Sequence, residues 1–518
     1  MRPSSLRFRR AAGLAALMLL AAATPPLVAQ DLLGDFESRT SVHTLDNGWT
    51  FIIVERPVAP VFSFATVVDV GGAQEVPGIT GLAHMFEHMA FKGTPNIGTT
   101  DYEAEQKALD EVEAAYQAYE QKRRDPHADP DEVEKLHAVF KEKEEKAGEY
   151  IIANDFGDIV EREGGVGLNA FTNSDHTVYA YSFPANRLEL FAFLESERFI
   201  HPVYREFYKE RDVVQEERRL RTDSQPVGRL IEQALSSAFV AHPYKQPVVG
   251  YMSDLQSFTA TDADAFFKKH YVPANMVTVL VGSVKADEVM PIIEKYFGRA
   301  PAGDKPEPLR TVEPPQIAEK TIVMTDPAQP FYAEMYHRPS VLDEDNEVYT
   351  AIDDVLSNGR TSRLYRSLVR DKKIALFSSS LSGFPGRKYP GLWVTFAVPA
   401  KGHTNEEVQT AIRAELERLK TEPVSDAELK RFRTRAKANR LRQVRSNFGL
   451  AVQLGMTHAI YGDWREFFRD LDRIDKVTKE DIMRVAQKTL TANNRTVGMI
   501  VTQEPEDAAG SGAAGSAE

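Results

Sequence analysis

The residues most evidently suited to chemistry lie between Thr80 and Gly93, in the stretch TGLAHMFEHMAFKG. His84 and His88 stand at i and i+4, so on a helix both imidazoles project from one face and can share one metal ion, with Glu87 beside them. Neutral imidazole suits Zn²⁺. A water on such an ion becomes acidic near neutral pH, and an adjacent carboxylate can take its proton and pass it to a leaving amine. That is the chemistry of peptide hydrolysis, carried by the order His-x-x-Glu-His.

A zinc site that keeps one position for water needs a third protein ligand. The stretch from Phe207 to Leu220 has helix-forming composition and carries Glu210 and Glu217 seven residues apart. Two turns return them to nearly the same face, shared with Val213 and Val214. Glu217 is the candidate third ligand, and Glu210 a carboxylate able to orient a ligand from behind. Glu216, about 100° around the helix, is expected to face solvent.

These side chains need elements to hold them. Thr80 is placed to cap the histidine helix and Gly93 to stop it. The stretch from Leu168 to Tyr179 reads as a strand entering a turn at Asn173–Asp175; an exposed strand edge can add an extended peptide through backbone hydrogen bonds with little side-chain selection. Short β-branched runs such as Phe51–Val54 and Val277–Val281 alternate with long amphipathic stretches, so the fold class is α+β. From Tyr102 to Tyr150, Leu109, Val112, Tyr116 and Tyr119 form one apolar stripe and Val133, Leu136 and Phe140 another, with DPHADPD between. An antiparallel helical hairpin follows, with solvated charged faces.

Pro301, Pro306, Pro308, Pro314 and Pro315 crowd one segment that can be neither helix nor central strand. It is expected to be a linker, 299–316, between a domain at 31–298 and another at 317–503. An internal repeat supports that division. Setting Asn275 against Asn494 aligns Leu255 with Ile474, Phe258 with Val477, Thr259 with Thr478, Asp262 with Asp481, Phe266 with Val485 and Tyr271 with Leu490. In each copy a Thr caps a helix that leads through a turn into an apolar strand. Two similar halves are the economical conclusion. The second half has no His-x-x-Glu-His, so one zinc per chain is expected.

The 518 residues are 42% hydrophobic and 27% charged, as in globular proteins, which excludes collagen, coiled-coil rods and multi-span membrane proteins. Cysteine is absent, so histidine and carboxylate must do any metal binding. Arg2, Arg7, Arg9 and Arg10 precede the apolar run Ala11–Ala23, which has the form of a secretory signal and is short for a membrane span. Removing residues 1–30 takes four arginines away and moves the net charge from −13 to −17, which argues against nucleic-acid binding. Export to the periplasm or beyond is expected, with no stable membrane span after processing. Residues 504–518 read as a flexible tail.

In order along the chain, GGAQEVPGITGLAHMFEHMAFKGT, LNAFTNSDHTVY, KERDVVQEE and GRTSRLYRSLVRDKKIA resemble the pitrilysin-like inverzincin peptidases, which include insulin-degrading enzyme and the mitochondrial processing peptidase. The resemblance spans about residues 41–503. It implies two homologous α/β repeats, each a mixed, largely antiparallel sheet flanked by helices, together forming half of a clamshell. It also implies His84, His88 and Glu217 as zinc ligands, Glu87 as general base, Glu210 as supporting carboxylate, and Asn169 and Ala170 as a substrate-binding edge. Relatives carry an Arg and a Tyr seven residues apart in the second half, which hold substrate and the developing oxyanion. Arg370 matches the Arg, but Phe377 stands where the Tyr is expected and cannot donate a hydrogen bond. The interval from His88 to Glu217 is longer than usual for the family, and the 102–150 hairpin accounts for the excess, placed either to leave the metal undisturbed or to roof it. Two-repeat relatives pair into a four-repeat chamber, so a homodimer or a heterodimer with a related subunit, taking short or unfolded polypeptides, is implied.

Overall fold

A computed structural model describes residues 29–503. The expected signal segment, but for its last two residues, and the expected tail lie outside this range. Eleven strands form two sheets among the described residues. The first sheet holds β1 (Thr40–Thr44), β2 (Thr50–Glu55), β3 (Val61–Val68), β4 (Val166–Thr172), β5 (Thr177–Pro184) and β6 (Met276–Gly282), in the order β1-β2-β6-β3-β5-β4. The second holds β7 (Lys320–Asp326), β8 (Phe331–Arg338), β9 (Ala375–Phe384), β10 (Gly391–Pro399) and β11 (Arg495–Thr502), in the order β7-β11-β8-β10-β9. Without β1 the two orders are the same, and each sheet has one parallel pair, β2 with β6 and β7 with β11, among antiparallel neighbours. The fold is therefore two homologous α/β repeats with mixed, largely antiparallel sheets.

The repeat is visible at the level of single hydrogen bonds. Thr259 and Asp262 form a reciprocal capping box at the start of helix Ala260–His270, and Thr478 and Asp481 form the same box at helix Lys479–Thr489. The aligned apolar residues Leu255, Phe258, Ile474 and Val477 are all buried. Trp49, Phe51, Phe64, Tyr181 and Phe297 fill the first core between sheet and helices, and Tyr332, Tyr336, Trp393 and Leu416 the second.

On its other face each sheet is covered by a helix from the opposite half. Helix Pro226–Ala238 places Leu230 and Ala234 with Leu392, Val394 and Ile500 of the second sheet. Helix Asn447–Tyr461 places Leu450, Ala451 and Leu454 with Val67, Val279 and Val281 of the first. Each sheet thus has its second apolar face buried by a helix of the other half, and the two halves form one packed body.

Two long helices, Tyr102–Arg123 and Pro130–Gly148, form the hairpin. Asp101 caps the first by accepting from the Ala104 N–H, and Asp129 caps the second ahead of Pro130 at its first turn. Between Phe297 and Lys320 the proline-rich segment has neither helix nor strand; the Glu313 carboxylate ties it down by accepting N–H bonds from Val240, Ala241 and His242. No helix among the described residues is long and apolar enough to cross a membrane.

Candidate metal centre

The histidine helix runs from Leu82 to Met89. Gly81 precedes it with φ +95°, where a side chain would lie 2.7 Å from the Val249 carbonyl oxygen. Thr80 is not its cap. The Thr80 hydroxyl donates to Asp254 at 2.7 Å and accepts the Tyr251 N–H. The free N–H groups of Gly81 and Ala83 are instead taken by the buried carboxylate of Glu75 at 2.8 and 2.7 Å, which places an acceptor at the positive end of the helix. Nor does Gly93 end the helix: Ala90 closes it, and Gly93 (φ +101°) turns the chain afterwards.

His84 and His88 lie on one helix face with ring centroids 4.8 Å apart. Both present Nε2 to the same oxygen, Oε2 of Glu217, at 3.7 Å from His84 and 3.4 Å from His88. One donor atom from each of the three residues lies within 4.8 Å of the others. Donors about 2.0–2.2 Å from a tetrahedral zinc ion are separated from one another by about 3.3–3.6 Å. The two nitrogen–oxygen spacings, 3.7 and 3.4 Å, lie close to that range, and two imidazole nitrogens with a carboxylate oxygen are donors that zinc takes. Burial, followed by the neighbouring His88, pushes the His84 pKa down to about 4, so its imidazole is neutral and offers a lone pair. Burial also acts to lower His88, but the Glu210 hydrogen bond and the Glu217 charge outweigh it and raise that group.

Glu87 sits on the same helix, half-buried, and burial raises its pKa against the opposing pull of Thr172 and His88. A carboxylate moved toward neutral pH is suited to accept and return a proton. Thr172 is the last residue of β4, so the edge strand ends beside this base. Asn169 and Ala170 lie on β4, opposite Ala180 and Tyr179 of β5, with the outer edge of β4 unpaired among the described strands.

Glu217 and Glu210 come from helix Phe207–Arg218. Its buried face carries Phe207, Arg211, Val214 and Arg218, and the two glutamates lie on the rim of that face. Val213 departs from the expectation of a shared face: it is 46% exposed, whereas Val214 is fully buried. The reason is rotational, because Val213 falls about 60° from Glu210 and about 40° from Glu217 on the solvent side. Glu216 is exposed and paired with Arg219. The hairpin packs on the face turned away from the glutamates: the Tyr116 ring lies tilted against Tyr208 with centroids 4.1 Å apart, and the Arg211 guanidinium lies 4.6 Å from the Tyr116 ring. It braces the ligand helix on that face.

Several participants escaped the sequence pattern. Lys92 bonds Glu210 at 2.5 Å and Glu206 at 2.9 Å, while Glu210 reaches His88 Nδ1 at 3.4 Å. Arg221 holds the second oxygen of Glu217 at 2.5 Å. Lys92 stands four residues after His88 and Arg221 four after Glu217, a spacing that could have drawn attention to both. Arg370 is not brought to this cluster. Its guanidinium is exposed and bonded to Asp371 at 2.6 and 3.0 Å, and Phe377 is 53% exposed on the edge strand β9.

Comparison with known proteins matches residues 50–144 to the family described as Insulinase (Peptidase family M16), and residues 257–435 to the Peptidase M16 inactive domain. The chain is 29% identical over 495 residues to zinc protease PqqE of Helicobacter pylori, covering 93% of this chain and 96% of that one. It is 22% identical to the mitochondrial-processing peptidase subunit beta of Saccharomyces cerevisiae, over 89% of this chain and 90% of that one. Among solved structures, a protease from Helicobacter pylori superposes with a TM-score of 0.74 at 26% identity, covering 89% of this chain and 99% of that one.

Proposed function

The chain belongs to the insulinase, or M16, family of peptidases, and from that premise we propose that it is an exported zinc-dependent endopeptidase of short or unfolded polypeptides. The observation that carries this proposal is the convergence of His84, His88 and Glu217, whose donor atoms lie within 4.8 Å of one another, with Glu87 on the histidine helix.

His84, His88 and Glu217 would hold the zinc ion, which when bound would supply the Lewis acidity that acidifies water and polarises a carbonyl. Glu87 takes the proton of the attacking water and delivers it to the leaving amine. The peptide lies along β4 as an added strand, aligned by backbone bonds at Asn169 and Ala170, and because β4 ends at Thr172 beside Glu87 the scissile bond is led toward the base. Pairing of two such chains, or of this chain with a related subunit, would close a chamber whose size excludes folded substrates.

The test is zinc content and cleavage of a quenched peptide library by purified wild type and Glu87→Gln. Zinc bound by both, with cleavage by Glu87→Gln reduced on the order of 10²- to 10⁴-fold, is expected; a variant as active as wild type overturns the assignment of the base. Phe377 favours a second reading, a subunit that binds peptide or completes a heterodimeric peptidase, because a phenyl ring cannot stabilise an oxyanion by hydrogen bonding. Cleavage that appears only on mixing with a related subunit would favour that reading.

A further inference from the structure

We propose that Lys92 is a positioning residue of the metal centre: its ammonium fixes Glu210 so that Glu210 holds the His88 ring with Nε2 toward the metal. The inference rests on the zinc site proposed above and adds a residue to it.

Glu206 and Glu210 are four residues apart at the start of the ligand helix, where like charges repel. Lys92 Nζ lies between them, 2.9 Å from Glu206 Oε2 and 2.5 Å from Glu210 Oε1. All three side chains are at most 21% exposed, so solvent weakens these pairs less than it does at an open surface. With Oε1 held, the other oxygen of Glu210 faces His88 Nδ1. A carboxylate on Nδ1 selects the tautomer with the lone pair on Nε2 and fixes the ring plane.

Lys92 is itself held. Its carbonyl accepts from Arg205 Nη1 at 2.6 Å, and the buried Arg205 is bonded in turn to Glu105 of the hairpin. The lysine backbone, its ammonium and the histidine it serves are thus tied to one helix start. Lys209 provides an internal contrast: it also bonds Glu206, at 2.7 Å, but it is 68% exposed and makes no bond to Glu210.

The experiment measures the zinc dissociation constant by chelator competition for wild type, Lys92→Met, Lys92→Arg and Lys209→Met, with unfolding of the metal-free proteins as the check on folding. Lys92→Met is expected to bind zinc about 10- to 100-fold more weakly and to alter the visible spectrum of the cobalt-substituted protein. Lys92→Arg should restore most of the affinity, and Lys209→Met should match wild type. A folded Lys92→Met with wild-type affinity and spectrum overturns the proposal. Should Lys92→Met not fold, Lys92→Gln is judged by the same criteria. Wild type that takes up no zinc overturns the metal site itself, a result distinct from wild type and Lys92→Met binding zinc equally.

Discussion

Asn275 and Asn494 occupy the same corner of the two halves and make the same bonds. Each donates its side-chain N–H to the carbonyl five residues back in the preceding helix, His270 or Thr489, at 2.9 Å in both cases. Each also donates across the fold, to the carbonyl of Asp69 at 3.3 Å or His337 at 2.8 Å. The amide closes a helix end and ties it to a neighbouring strand, which is why both copies carry Asn.

Alanine at either position leaves these carbonyls without their donor. Asn275→Ala and Asn494→Ala are each expected to lower stability by about 1–3 kcal/mol, measured by urea unfolding. A large loss at one site and none at the other would show that the two corners differ in what they hold.

The exchanged helices predict a second effect. Gly455 faces the first sheet, and a Cβ there would lie 2.8 Å from Val67 Cγ2 and 3.4 Å from Val279 Cγ2. In the other half the small residue is on the strand instead: Gly498 meets Leu230 and Ala234 of the exchanged helix. Gly455→Val should cost about 1–3 kcal/mol through overpacking, seen as a lowered thermal midpoint. An unchanged midpoint would mean that the helix can lift from the sheet without loss.

Asp353 sets a pH dependence. The Ser380 hydroxyl and the Trp393 indole N–H both bond its Oδ1, at 2.8 and 2.7 Å, leaving Oδ2 to carry a proton. Burial pushes its pKa from 3.8 up to about 7. The folded state therefore binds this proton more tightly than the unfolded state, and the contribution to stability falls as pH rises from about 4 to about 7. Asp353→Asn keeps the acceptor and removes the titration. It should be more stable than wild type at pH 8, by on the order of 4 kcal/mol, and nearly equal to it at pH 4. Equal stability at both values in denaturant titrations would sink the assignment.

Local spacing made much of this protein legible from its residues. Histidines four apart share a helix face whatever surrounds them, and a Thr three residues before an Asp makes its capping box within one turn. The two stripes of the hairpin and the family resemblance are likewise properties of order along the chain. Tertiary packing decided the rest. Thr80 lost the cap because Asp254 claimed its hydroxyl and Glu75 reached the helix end first. Val213 faces water because the ligand helix is buried around Arg211 and Val214, an orientation that its own sequence leaves open. The crossing of one helix from each half onto the opposite sheet, and the lysine bridge from Glu206 to Glu210, depend on which surfaces meet in space. Contacts set by a few covalent bonds can be deduced from order and spacing; those between segments far apart in the chain exist only once the whole body is packed.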